Sequence, residues 1–88
     1  MKLLKFYAEW CAPCKMLSRA MEDAKSDIES LMIEIQEVDI DQEMDLARKY
    51  NVRGVPTIIM VAESGDEVRR KSGYMSTEEL IRFAEGRE

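Results

Sequence analysis

At Trp10–Cys11 the hydrophobic period of this chain changes, and its only two cysteines sit on the change, in "WCAPCK". Upstream, "KLLKFYA" (residues 2–8) is a short apolar and aromatic run that reads as a buried strand. From Cys11 onward a helical period takes over. Cys14, Leu17, Met21, Ala24, Ile28 and Leu31 recur at spacings of three and four, while Lys15, Arg19, Glu22 and Lys25 fall on the wet side. Pro13 suits the first helical turn, where its missing N–H is not needed. Both thiols therefore lie where a strand gives way to a helix N-terminus.

The remaining segments follow from the same reading. "MIEIQEVDI" (32–40) alternates as a strand does, and Asp41 is placed to cap a short helix over 43–50. "NVRGVP" is a loop and "TIIMVA" a continuous apolar strand. "ESGD" is a turn, and "EVRRKSG" its antiparallel partner, a solvent-facing edge given three basic residues. "STEE" (76–79) has the capping-box form and opens a last helix with Leu80, Ile81 and Ala84 inward. The order strand, helix, strand, helix, strand, strand, helix predicts an α/β fold: a parallel βαβ unit, then a hairpin. Without repeats, linkers or low-complexity tracts, residues 1–88 are expected to form one domain.

The net charge is −5, and the longest basic run is Arg69-Arg70-Lys71. That argues against nucleic acid as a ligand, since phosphate contacts need a concentrated basic surface. "MKLLKFYAEW" carries charge inside its apolar stretch and has no small-residue cleavage site, so no signal peptide is expected. No run approaches the roughly 20 apolar residues of a membrane span. Two cysteines are too few for a secreted disulfide scaffold, which points to a reducing, cytoplasmic setting.

In that setting a lone Cys-x-x-Cys is redox-active or metal-binding more often than structural. Structural zinc wants four ligands, and the chain has two cysteines and no histidine, so only a dimer sharing two pairs would complete such a site. As a structural staple the bridge is weak, because so short a loop restricts the unfolded chain little. Redox exchange fits better. At a helix start, unpaired N–H groups and the helix dipole favour a Cys11 thiolate, lowering its pKa from a free value of ~8.5, while Cys14 faces inward, shielded. An exposed nucleophile with a resolving neighbour is the arrangement that thiol–disulfide exchange requires.

"FYAEWCAPCK" resembles the active-site stretch of thioredoxins, with Ala12 where most members have glycine. "DIDQ", "RGVPT" and the SG pairs at Gly65 and Gly73 match further landmarks in order, so the resemblance spans nearly the whole chain. It departs at the start, where full-length thioredoxins carry an extra strand and helix; the remaining size is more usual in glutaredoxins. The resemblance implies a minimal β-α-β-α-β-β-α core with a four-stranded mixed sheet in the order 2-1-3-4 and three helices. It implies a monomeric protein-disulfide reductase with no metal or organic cofactor, in which Cys11 attacks and Cys14 resolves. Disulfide-containing proteins would be its substrates and thioredoxin reductase its electron donor. Two alternatives stand beside this: a glutaredoxin-like protein recharged by glutathione, and a binding subunit that uses the fold without the chemistry. Val55-Pro56 matches the family's cis-proline site, facing the cysteines. Trp10, Ala12, Pro13, Gly54, Val55, Gly73 and Tyr74 would border a flat apolar docking patch, with Met75 at its rim. Met21 and Met60 read as core.

One position breaks the resemblance. Thioredoxins have a buried aspartate six residues before the nucleophilic cysteine, and here that residue is Lys5. The lysine usual on the adjacent strand, four residues before the aspartate of "DQ", is replaced by Glu37. Alternation puts Leu3, Lys5 and Tyr7 on one strand face, and Ile33, Ile35 and Glu37 on one face of the next. An unpaired buried charge is costly, so the exchanged charges are expected to form a partly buried pair below the cysteines. Glu37, in a poorly hydrated site, would then accept the Cys14 proton, and loss of Lys5 alone would orphan a buried carboxylate.

Overall fold

A computed structural model describes residues 1–87. The elements are β1 (Lys2–Tyr7), α1 (Ala12–Glu29), β2 (Glu34–Asp39), α2 (Met44–Lys49), β3 (Thr57–Val61), β4 (Glu67–Ser72) and α3 (Thr77–Glu85). They form one sheet in the order β2-β1-β3-β4. β1 runs parallel to β2 and antiparallel to β3, and β3 pairs antiparallel with β4. The predicted element order and strand order are both realised.

Alternation along β1 sorts the core into two layers. Leu3 faces α1 and α3, packing with Leu17, Ile28, Met60, Leu80 and Phe83. Leu4 and Phe6 face the other way, packing with Val38, Tyr50 and Ile59, and α2 adds Leu46 and Ala47 at the margin. β3 is buried throughout, because it has a strand on each side and is covered on both faces. β4 is the exposed edge that its basic residues announce.

Three boundaries differ from the sequence reading. α1 stops at Glu29, so Leu31 lies beyond the helix and is exposed. Met32 takes a left-handed φ of 63° to turn the chain back, which is why β2 begins at Glu34 and not at 32. Asp41 does not cap α2; Glu43 holds the cap position without a side-chain bond. The expected capping box of α3 is present, with Ser76 and Glu79 exchanging bonds. Phe83 is buried with Leu80 and Ala84, whereas Ile81 is only partly covered. At the far end of α3, Arg69 of β4 donates from Nε to the Phe83 carbonyl (2.8 Å) and from Nη2 to the Ala84 carbonyl (3.0 Å). These bonds satisfy acceptors that a helix C-terminus leaves open.

Candidate active site

The strand-to-helix junction builds the site. Cys11 is the N-cap of α1, in extended backbone (φ −95°, ψ 107°), and its Sγ accepts the Cys14 N–H at 3.2 Å. Pro13 occupies the first turn, and no acidic residue lies there to oppose negative charge. Cys11 and Cys14 are joined as a disulfide, with Cα atoms 5.2 Å apart. The exposure expected for Cys11 is not found: it is 5% exposed and Cys14 2%. In the bridge the sulfurs cover one another, Ala8 and Val55 pack against them, and the Val55 carbonyl oxygen lies 3.7 Å from Cys11 Sγ. The asymmetry between the two lies in hydrogen bonding instead. A backbone N–H points at Cys11 Sγ, which stabilises charge there when the bridge opens.

Around the pair, Ala12 and Pro13 are exposed. The Val55–Pro56 peptide bond is cis, and Pro56 is buried. The Gly73 N–H donates to the Pro56 carbonyl (2.9 Å), bringing the loop of Gly73 and half-exposed Tyr74 beside it. Gly54 is exposed, and its carbonyl accepts from Thr57 Oγ1 (2.7 Å). Trp10 is 70% exposed and donates through Nε1 to Asp41 Oδ2 (3.0 Å). Asp39 Oδ1 in turn accepts the Asp41 N–H (2.9 Å), which fixes that loop. Asp41 thus orients Trp10, a role that reading it as a helix cap missed. Met75 does not reach the rim. It is fully buried among Leu17, Leu80 and Met60, whereas its neighbour Tyr74 is exposed.

Beneath the pair, Lys5 is 1% exposed and heads the fully buried side chains by volume. The parallel register aligns Lys5 with Glu37, and their charges meet at 3.6 Å. The pair is lopsided, however. Glu37 is 58% exposed, not poorly hydrated as expected, because β2 is an open edge of the sheet. Inside, Lys5 Nζ donates to Ser18 Oγ at 2.5 Å and stands 5.7 Å from the centre of the Tyr7 ring. Ser18 escaped the sequence reading. Its signal was spacing: four residues after Cys14, it shares that residue's helix face. Tyr7 ionises above the ordinary 10.0, first through burial and then through the carboxylates of Asp39, Glu37, Glu9 and Glu43. Among the described residues, no group of three or more His, Cys, Asp or Glu is placed to hold a metal ion.

Comparison with known proteins agrees with this geometry. The thioredoxin family model matches residues 1–86. A thioredoxin of Chlamydia caviae is 39% identical over 81 residues, covering 92% of this chain and 76% of that protein. A thioredoxin of Pseudomonas aeruginosa is 33% identical over 81 residues, covering 92% and 73%. A solved mutant thioredoxin from Halobacterium salinarum has a TM-score of 0.83 at 34% identity, covering 97% of this chain and 72% of that one.

Proposed function

This chain belongs to the thioredoxin family and is a thiol–disulfide oxidoreductase acting on protein disulfides; on that premise we propose how its residues divide the work. Cys11, as thiolate, attacks one sulfur of a substrate disulfide. The substrate S–S bond breaks, and its other sulfur leaves as a thiolate that takes a proton from water. Cys14 then gives its proton to solvent water and attacks Cys11 Sγ as a thiolate. The second substrate sulfur is released, and the two electrons have passed from the protein dithiol to the substrate. The observation that carries this assignment is the Cys14 N–H aimed at Cys11 Sγ at the start of α1. It lowers the free energy of a thiolate at Cys11 and offers Cys14 no matching donor.

Substrate docks, in this reading, on the surface bordered by Trp10, Ala12, Pro13, Gly54, Val55, Pro56, Gly73 and Tyr74. An extended segment lies there with its disulfide over Cys11. Exposed Trp10 and Tyr74 supply large, stiff contact area, and Gly54 and Gly73 keep the approach flat. Lys5 and Glu37 act on the cysteines from below. Residues 1–88 work as one monomeric domain in the cytoplasm, recharged by a thioredoxin reductase. Among the described residues, no helix is long and apolar enough to cross a membrane.

Insulin disulfide reduction, run with thioredoxin reductase and with glutathione in turn, tests the reading. Turnover with the reductase is expected, together with a trapped mixed disulfide on Cys11 in Cys14→Ser. Turnover with glutathione alone would reassign the donor. Retention of biological activity in the Cys11→Ser, Cys14→Ser double variant would make the chain a binding subunit.

A further inference from the structure

Lys5 is a fully buried cation beneath the cysteines, and the exchange steps described above leave its effect on the pair undefined. A fully buried ammonium is costly to maintain, and its neighbours define what it does. Ser18 accepts one of its protons at 2.5 Å, the Tyr7 ring lies 5.7 Å away, and Glu37 stands on its solvent side at 3.6 Å. The half-solvated carboxylate balances the charge toward solvent, and on the side of α1 the group bonded to the ammonium is the neutral Ser18 hydroxyl. Ser18 lies one helical turn beyond Cys14, and such neighbours have Cβ atoms about 5–6 Å apart. Cys14, Ser18 and Tyr7 also line one small cavity of about 140 Å³, with Glu9 and Lys15 at its border. A second cavity, of about 110 Å³, is lined by Ser18 and Glu37 together with Glu22 and Lys25 at its α1 side. Ser18 is common to both, so it stands between the ion pair and the resolving cysteine.

We propose that Ser18 is a positioning residue that aims the Lys5 ammonium along α1 toward Cys14, so that this buried cation stabilises the dithiol–thiolate form of the pair and makes the protein a stronger electron acceptor than it would be with a neutral residue at position 5. The physical reason is a difference in charge between the two redox states. The disulfide is neutral, whereas the opened pair carries thiolate charge close to a cation in poorly hydrated surroundings, where salt screens weakly. Whatever stabilises the reduced form raises the reduction potential. The consequence is a shift in the direction of exchange. A client dithiol hands two electrons to the Cys11–Cys14 bridge, which opens as a bond forms between the client sulfurs. Its protons pass to the protein thiols or to water. This is the reverse of the reduction above and needs no further reactant, so the protein is equipped to form client disulfides as well as to reduce them. The inference rests on the oxidoreductase reading and concerns only its poise.

The test is the equilibrium of the protein with a buffer of reduced and oxidised glutathione, read by alkylation of the freed thiols. Lys5→Met is expected to lower the equilibrium constant for reduction of the protein about tenfold, which for a two-electron couple is about 30 mV. Ser18→Ala is expected to lower it about threefold, and Ser18→Thr, which keeps the hydroxyl, to leave it within twofold of the original. Glu37→Gln removes the charge that partly balances Lys5, so it should move the constant upward or leave it unchanged. Opposite signs for the two halves of one ion pair mark an electrostatic effect, which mere structural damage does not produce. Should Lys5→Met fail to fold, the Ser18 and Glu37 variants carry the test alone. An unchanged or raised constant in Lys5→Met or Ser18→Ala, or a fall in Glu37→Gln, would overturn the proposal. Failure of the original protein to equilibrate with glutathione at all would instead count against the oxidoreductase reading.

Discussion

Lys5→Met should stabilise the fold, although it deletes a salt bridge and a hydrogen bond. The losses are modest. The Glu37 carboxylate is 58% exposed, so the ion pair contributes at most about 1 kcal/mol and its survivor is solvated once Lys5 is gone. The Ser18 hydroxyl is half-buried and recovers part of its bond, gross value about 1.5–3 kcal/mol, from water. The Tyr7 contact adds about 0.5–1 kcal/mol. Against these stands the desolvation of an ammonium that is 1% exposed, a penalty of several kcal/mol. Methionine also fills much of the same volume with an apolar, flexible chain, and burying it contributes about 1.5–3 kcal/mol. The balance favours the variant by about 1–3 kcal/mol, within the range found when buried ion pairs are replaced by apolar groups. For a chain of this size each kcal/mol moves Tm by about 4–8 °C, so the oxidised variant should melt about 5–20 °C higher. Paired guanidinium titrations of the oxidised proteins measure the difference. A loss of more than about 1 kcal/mol would falsify the reasoning and make the Lys5–Ser18 bond a structural necessity. The gain in stability should come with the fall in potential described above, a trade between stability and function at one residue.

Arg69→Met removes the two bonds to the carbonyls of Phe83 and Ala84 and a cation 5.4 Å from the centre of the Phe83 ring. It should cost about 2 kcal/mol, discounted for partial exposure, and amide exchange should show the loss concentrated at the C-terminal end of α3. Arg69→Lys should not restore it, because a lysine lacks the fork that spans both carbonyls. Glu67 is held below its ordinary value of 4.5 chiefly by its hydrogen bond from Arg70. The stabilisation is therefore present above 4.5 and is lost as pH falls through the depressed folded value, so Glu67→Gln should flatten the acid limb of an unfolding-versus-pH curve. Tyr7 is raised above 10.0 by burial and then by Asp39, Glu37, Glu9 and Glu43. Its contribution is whole below 10.0 and is lost as pH rises through the raised folded value, so Tyr7→Phe should lessen alkaline destabilisation. A phenolate absorbance titration should lose its step above 10.0 in the same variant.

What the sequence could disclose about this site depended on whether a residue's role is set along the chain or across it. The strand and helix periods place Cys11 on the cap of α1, and "STEE" places the capping box, because both are local patterns. Alternation even delivers the Lys5–Glu37 alignment, since two parallel strands with one face each inward leave little freedom in register. Solvation is another matter. The order 2-1-3-4 implied by the family resemblance, not anything within "EIQEVD", makes β2 the outermost strand. The expectation of a dry Glu37 overlooks that this edge position hydrates it while leaving Lys5 dry. Met75 shows the same limit in a loop, where no period distinguishes an inward methionine from the outward tyrosine before it. Asp41 has the chemistry of a cap, yet its carboxylate goes to Trp10, 31 positions away in the chain. Ser18 is the sharpest case. A serine on a helix face is unremarked until the strand beneath is known to carry a cation, and only the crossing of α1 over β1 makes it the sole hydroxyl bonded to Lys5 among the described residues. The charges were therefore legible and their consequences were not, because a consequence requires knowing which side of each charge faces water.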